Sequence, residues 1–214
     1  MTLLSTPAIY LLLPLVAHSE ILDRIAVSIG SQVITESAII RELRVDAFLD
    51  RKPVELSPDA KRKAAERLVD QVLILQEAEE SHLTLASPEA AAKMVEGEKS
   101  KFGSDDSYRA ALAQYQITEK DLTEHLLDGL RELRFTDLRF RPLVEISDAD
   151  IREYYDKLAS GWRDAGKGSI PSFEESRSQV EELLSNQRTM AALDQWLEAT
   201  RAGKRIEYRE AVFK

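Results

Sequence analysis

Apolar residues recur at three- and four-residue spacing along most of this chain, a period that predicts a protein built mainly of amphipathic helices. Ala64, Ala65, Leu68, Val69, Val72, Leu73 and Leu75 mark one face, opposite Lys61, Arg62, Glu66, Arg67 and Asp70. Leu122, Leu126, Leu130, Leu133 and Leu138 continue the pattern in a later helix. Val180, Leu183, Leu184, Ala191 and Leu197 form the stripe of the last helix, and Gly203 follows as its stop. All three stripes are expected to face a core, as is Trp196 beside the last of them. Near the start the period changes. Asp23 to Ile29 alternates apolar and polar residues, Gly30-Ser31-Gln32 supplies turn chemistry, and Val33-Ile34 resumes, so a tight hairpin is expected. A two-stranded hairpin is marginal alone. Arg205-Ile206-Glu207-Tyr208 is the candidate third strand, and its pairing would close the two ends of the chain into one domain.

The helix starts are written into the sequence. Ser57-Pro58-Asp59 and Ser87-Pro88-Glu89 each place a hydroxyl at the N-cap, proline at the first helical position and an acid in the first turn. Thr118-Glu119-Lys120-Asp121 and Ser147-Asp148-Ala149-Asp150 are signatures of the same kind, and Ser172-Phe173-Glu174-Glu175 is a capping box preceded by Pro171. The fold class is therefore mainly α, a multi-helix module with a small antiparallel β element made of the N-terminal hairpin and a C-terminal strand.

Leu3 to Val16 is almost wholly apolar, carries no charged side chain and gives way to Ala17-His18-Ser19, whose small residues suit signal peptidase. Pro7 and Pro14 interrupt the run, which is shorter than the about 20 apolar residues of a membrane span. Residues 1–19 are read as a signal peptide cleaved near Ser19; a buried N-terminal strand or an uncleaved anchor is the alternative. Residues 20–158 then form an N-terminal helical region, 159–171 a flexible loop, and 172–214 a closing helix and strand. Three glycines and a polar composition predict the flexibility of that loop.

Composition narrows the function. With 43% hydrophobic and 31% charged residues the chain is folded rather than disordered. The absence of cysteine excludes a disulfide framework, thiol chemistry and cysteine-ligated zinc. A net charge of −9 argues against nucleic-acid partners, which need clustered Lys and Arg, and against stable association with anionic membranes once the leader is removed. No Gly-rich phosphate loop and no nucleophile elbow is present. His125 with Asp121 and Glu124 would offer at most two metal ligands on one helical face, and no third has recognisable spacing, so a solvated polar face is the better reading. No cofactor is expected.

Ile25 to Ser37 resembles the opening of the SurA-like family of periplasmic chaperones linked to parvulin-type prolyl isomerases, in which strand, polar turn, second strand and helix cap follow the signal peptide. Ala65 to Ile74 resembles the family's next helix, Ile146 to Tyr155 is similar to the segment leading into the parvulin domain, and Phe173 to Val180 to the helix that follows it. The isomerase domain itself is missing. Of the three histidines, His18 lies in the leader and His82 and His125 lie far from the deletion. Isomerase activity is therefore not carried over, and the chain is not expected to be an enzyme.

What the resemblance implies is an ATP-independent periplasmic holdase that binds unfolded exported polypeptides, with outer-membrane β-barrel precursors as the implied clients. The alternatives are a non-catalytic scaffold for one dedicated partner and a residual prolyl isomerase. Aromatic residues outside the clean stripes are the candidate client contacts: Phe48, Tyr108, Tyr115, Tyr154, Tyr155 and Trp162. Trp162, inside the expected loop, either anchors that loop or offers its ring to a client. Homodimerisation, with a helix around Ala110 to Leu130 as the exchanged element, stays open.

Overall fold

The computed structural model describes residues 23–165 and 171–214. The expected signal peptide, 1–19, and its cleavage point lie outside the described residues. Strand β1 (Ile25–Ile29) turns back into β2 (Gln32–Thr35), and Gly30 at the turn takes a left-handed φ of 56° that costs a glycine least. Seven helices follow among the described residues: α1 (Glu36–Asp50), α2 (Pro58–Glu80), α3 (Pro88–Lys99), α4 (Asp105–Gln114), α5 (Glu119–Arg139), α6 (Asp148–Asp164) and α7 (Phe173–Gly203). Strand β3 (Ile206–Tyr208) closes the chain against β1 in the antiparallel order β2-β1-β3, with Val27 opposite Tyr208 and Ile29 opposite Ile206.

The mainly helical class and the three-stranded closure are thus as the sequence predicts. Ser57, Thr118, Ser147 and Ser172 each accept a hydrogen bond from a first-turn amide, and the last three form full capping boxes. Ser87 stands at the N-cap of α3, where its hydroxyl bonds the Glu89 carboxylate instead of a first-turn amide. Two further caps, Thr35 and Ser104, start α1 and α4.

Two cores hold the body. The larger packs Ala26, Val27 and Ile29 of the sheet against Ala65, Val69 and Leu73 of α2, Phe135 of α5, and Leu193 and Leu197 of α7. Trp196 joins it, 5.3 Å from the Phe135 ring. The C-terminal tail is clasped to α2 by Arg62, whose guanidinium lies 4.1 Å from the Tyr208 ring and 3.0 Å from Glu210. The smaller core joins α1, α3, α4 and the start of α5 around Phe48, Tyr108 and Leu122.

Three expectations are corrected. Helix α6 runs through Ala159 to Asp164, so the first half of the expected loop is helical and Trp162 sits on a helix. The Asp156-Lys157-Leu158 turn simply continues, because Gly161 costs a helix only about 1 kcal/mol and no proline intervenes before Pro171. The Ala110–Leu130 segment is two helices, broken where Gln116 adopts a left-handed φ of 55°. The apolar stripes are also rotated from the core in places: Leu133 and Leu183 are 57% and 45% exposed, Ala191 is exposed, and Leu193 is buried instead. No helix among the described residues is long and apolar enough to cross a membrane.

Candidate functional site

Helix α7 is 31 residues long, about 46 Å at 1.5 Å per residue. Only its C-terminal half enters the larger core. Its N-terminal half packs chiefly against α6, and the two helices form an antiparallel arm.

The arm is built from local signals. At its root, the Asp150 carboxylate closes the capping box of α6 and also receives Arg188 of α7 at 2.6 Å, while Arg188 donates to the Glu145 carbonyl at 2.6 Å. The hydrogen bonds from Arg188 and then Ser147 hold the Asp150 carboxyl far below the usual carboxylate range. Arg177 pairs with Asp148 beside it. Midway along α6, Tyr155 donates to the Pro171 carbonyl at 2.7 Å and meets the Phe173 ring edge-on at 5.5 Å, and Arg152 lies over that ring at 4.1 Å. The seam between the helices is apolar, with Ile151, Ala159, Val180 and Leu184 buried.

Beside the seam the arm carries an apolar groove of about 310 Å³, lined by Tyr155, Leu158, Ala159 and Trp162 of α6 and Val180 and Leu183 of α7. The positions on α6 are spaced i, i+3, i+4 and i+7, so a single helical face makes that wall. Leu158, Trp162 and Leu183 are 40%, 43% and 45% exposed. Three large apolar side chains thus converge on one open groove instead of standing singly on the surface.

The structure divides the six candidate contact residues. Tyr155 and Trp162 come together in the groove, and Tyr154 is half-buried elsewhere on α6. Phe48 and Tyr108 are fully buried in the smaller core, and Tyr115 packs on Phe48 at 5.7 Å. Phe48 and Tyr108 are therefore corrected to core residues, while Tyr115 stays half-buried; Phe102, which stacks on Phe48 at 5.9 Å, completes the aromatic cluster. Leu158 and Leu183 were not anticipated as contacts. The 155/158/159/162 spacing was the available signal, hidden by breaking the helix at 159.

No protein-family model matches the chain, and no curated protein matches it significantly.

A second site lies on the body, where His125 of α5 faces α1. The solvated polar face expected around His125 is replaced by a largely buried contact across helices. His125 Nδ1 lies 3.1 Å from Glu42 Oε2, and Nε2 lies 3.8 Å from Asp46 Oδ1. The three groups offer atoms within 4.8 Å of one another. The ring nevertheless turns a different nitrogen to each carboxylate, and two nitrogens on opposite sides of an imidazole cannot share one cation. The arrangement suits an imidazolium with two acid acceptors. Burial is the largest influence on the ring and opposes its charge, but the hydrogen bond and charge of Glu42, joined by Asp46, outweigh it and raise the His125 pKa.

Proposed function

We propose that this protein is an ATP-independent holdase chaperone of the periplasm, SurA-like in kind, without an isomerase domain. It binds short apolar segments of unfolded exported polypeptides, outer-membrane barrel precursors among them. The observation that carries this reading is the α6–α7 groove, open, apolar and held on an arm away from both cores. A holdase must take up varied apolar side chains and release them without fuel. A groove of this size accepts only a few side chains at once, which keeps each contact weak. The arm's capping boxes and the Arg188–Asp150 pair present the groove on a rigid support, so little ordering cost falls on binding.

The test is suppression of aggregation of a denatured outer-membrane barrel protein by the purified chain, Glu20 to Lys214, without nucleotide. Protection at near-stoichiometric ratios is expected. Trp162→Ala combined with Leu183→Ser should remove most of it while leaving the melting temperature within about 2 °C, because both side chains are nearly half exposed. Loss of stability in Trp162→Ala alone would make the indole an anchor. Absence of protection by the folded protein would overturn the reading in favour of a scaffold for a single partner.

A further inference from the structure

We propose that Glu42, His125 and Asp46 form a proton-operated clamp, which ties α1 to α5 while the imidazole is charged and loosens them when it becomes neutral. Glu42 is 8% exposed and one turn from Asp46 on α1, so both carboxylates face the same ring. A charged imidazole carries two N–H donors and serves both. A neutral imidazole keeps one donor, so one of the two acids loses its partner on the ring. The neutral ring keeps its proton on Nδ1, where Glu42 accepts at 3.1 Å, so Asp46 loses the ring and buried Glu42 keeps the hydrogen bond but loses the positive charge that offset its burial.

The surroundings make the proton count. From α1, Arg41 joins Glu42 and Asp46; from α2 come Arg67 and Asp70; from α5 itself come Asp121, Glu124, Asp128 and Glu132. Arg67 binds Asp46, Arg41 lies 3.6 Å from Asp121, Asp70 is paired with Arg201 of α7, and on α5 Lys120 pairs with Glu124 and Arg131 with Asp128. Acids outnumber these cations, so removal of the ring's proton leaves a negative cluster facing itself. The same crowding shows in the acids. Burial, the largest influence on each, raises the carboxyls of Asp46, Asp70, Asp128 and Glu132 above their ordinary values. A cavity of about 220 Å³ adjoins the cluster between α1, α2 and α5. Water entering there would solvate the freed carboxylates and let the helices part.

The direction of the effect follows from linkage. A histidine whose folded pKa lies above its unfolded value of about 6.5 adds stability that is complete below that value and lost as pH rises through the folded one. The raised carboxyls act in the same direction at lower pH, since the folded state holds their protons longer. Mild acid therefore tightens this contact.

The experiment is a melting curve of the full chain from about pH 6 to about pH 9, together with an NMR titration of the imidazoles assigned through His125→Gln. In the wild type, His125 should titrate above 6.5. The melting temperature should fall by roughly 3–5 °C across the range, the response of a domain of this size to a tenfold loss in the folding equilibrium. His125→Gln should flatten that slope. If His125→Gln does not fold, Glu42→Gln should lower the imidazole pKa and flatten the slope instead. Titration of His125 at or below 6.5 would overturn the clamp, as would a variant slope parallel to the wild type. A saturable rise in melting temperature on adding Zn²⁺ at high pH, absent in His125→Gln, would overturn it in favour of a metal site.

Discussion

Phe48 shows how much a single side chain can hold. Its ring has no exposure and touches Phe102, Tyr108 and Tyr115, while Arg51 lies 5.1 Å above it. Phe48→Ala should destabilise the protein by about 3–5 kcal/mol through the cavity it leaves, read from the urea midpoint. Tyr108 beside it behaves differently. Its hydroxyl is buried without a hydrogen bond of normal geometry, and burial, followed by the charge and weak hydrogen bond of the nearby Glu119 carboxylate, pushes the phenol up to about 12. Tyr108→Phe should therefore be neutral or stabilising by up to about 1 kcal/mol, because it removes a buried polar group that gains only a weak contact with Glu119 in the fold. A clear loss in that variant would show that the hydroxyl has a partner. Gln116 holds a left-handed φ of 55° at the break between α4 and α5, with its side chain exposed. Gln116→Gly should raise stability by roughly 1 kcal/mol, since only a side chain with Cβ pays for that conformation. The glycine-rich composition of the 159–171 segment has the opposite lesson at this scale: Gly161 lies in the last turn of α6, and the helix continues through it to Asp164.

At the scale of elements, the arm combines the most legible and the least legible parts of the chain. Both its helices begin at capping boxes readable from four consecutive residues, Ser147 to Asp150 and Ser172 to Glu175. Where α6 ends was not readable, because glycine and serine content suggested a loop that helix packing overrides. The root depends on Asp150. Its pKa is depressed by Arg188 first and Ser147 second, so its contribution is present above the ordinary carboxylate value of about 4 and is lost only as pH falls through the much lower folded value. The arm thus stays tied in the mild acid that tightens the His125 contact. Asp150→Asn should accelerate hydrogen exchange in α6 at neutral pH while leaving the sheet and α2 unchanged, and Ser172→Ala should weaken the start of α7 by about 1 kcal/mol. Unchanged exchange in both variants would mean that the apolar seam alone holds the arm. The sheet is simpler: alternation in β1, the glycine turn and the closing strand were each visible, and together they set the order β2-β1-β3.

Across the whole molecule, two cores, one arm and one polar cleft divide the labour. The larger core closes the ends of the chain on each other, the smaller one packs α3 and α4 onto α1 and α5, and the arm projects the groove that the holdase reading needs. If the groove is the client site, protection should fall with loss of Trp162 and Leu183 and remain in His125→Gln; loss of protection in His125→Gln at constant folding would place clients in the body cleft instead. The sequence by itself determined the helical class, the helix starts, the hairpin and the strand that closes it. Each of those signals depends on residues a few positions apart, where backbone geometry and capping act directly. Only the tertiary structure decided which apolar side chains are core and which are surface, taking Phe48 inward and leaving Leu183 outside. It also decided that His125 answers to Glu42, 83 positions earlier, rather than to Asp121 on its own helix. Those outcomes rest on how helices rotate and pack against distant partners, and a helical period specifies a face without specifying what meets it.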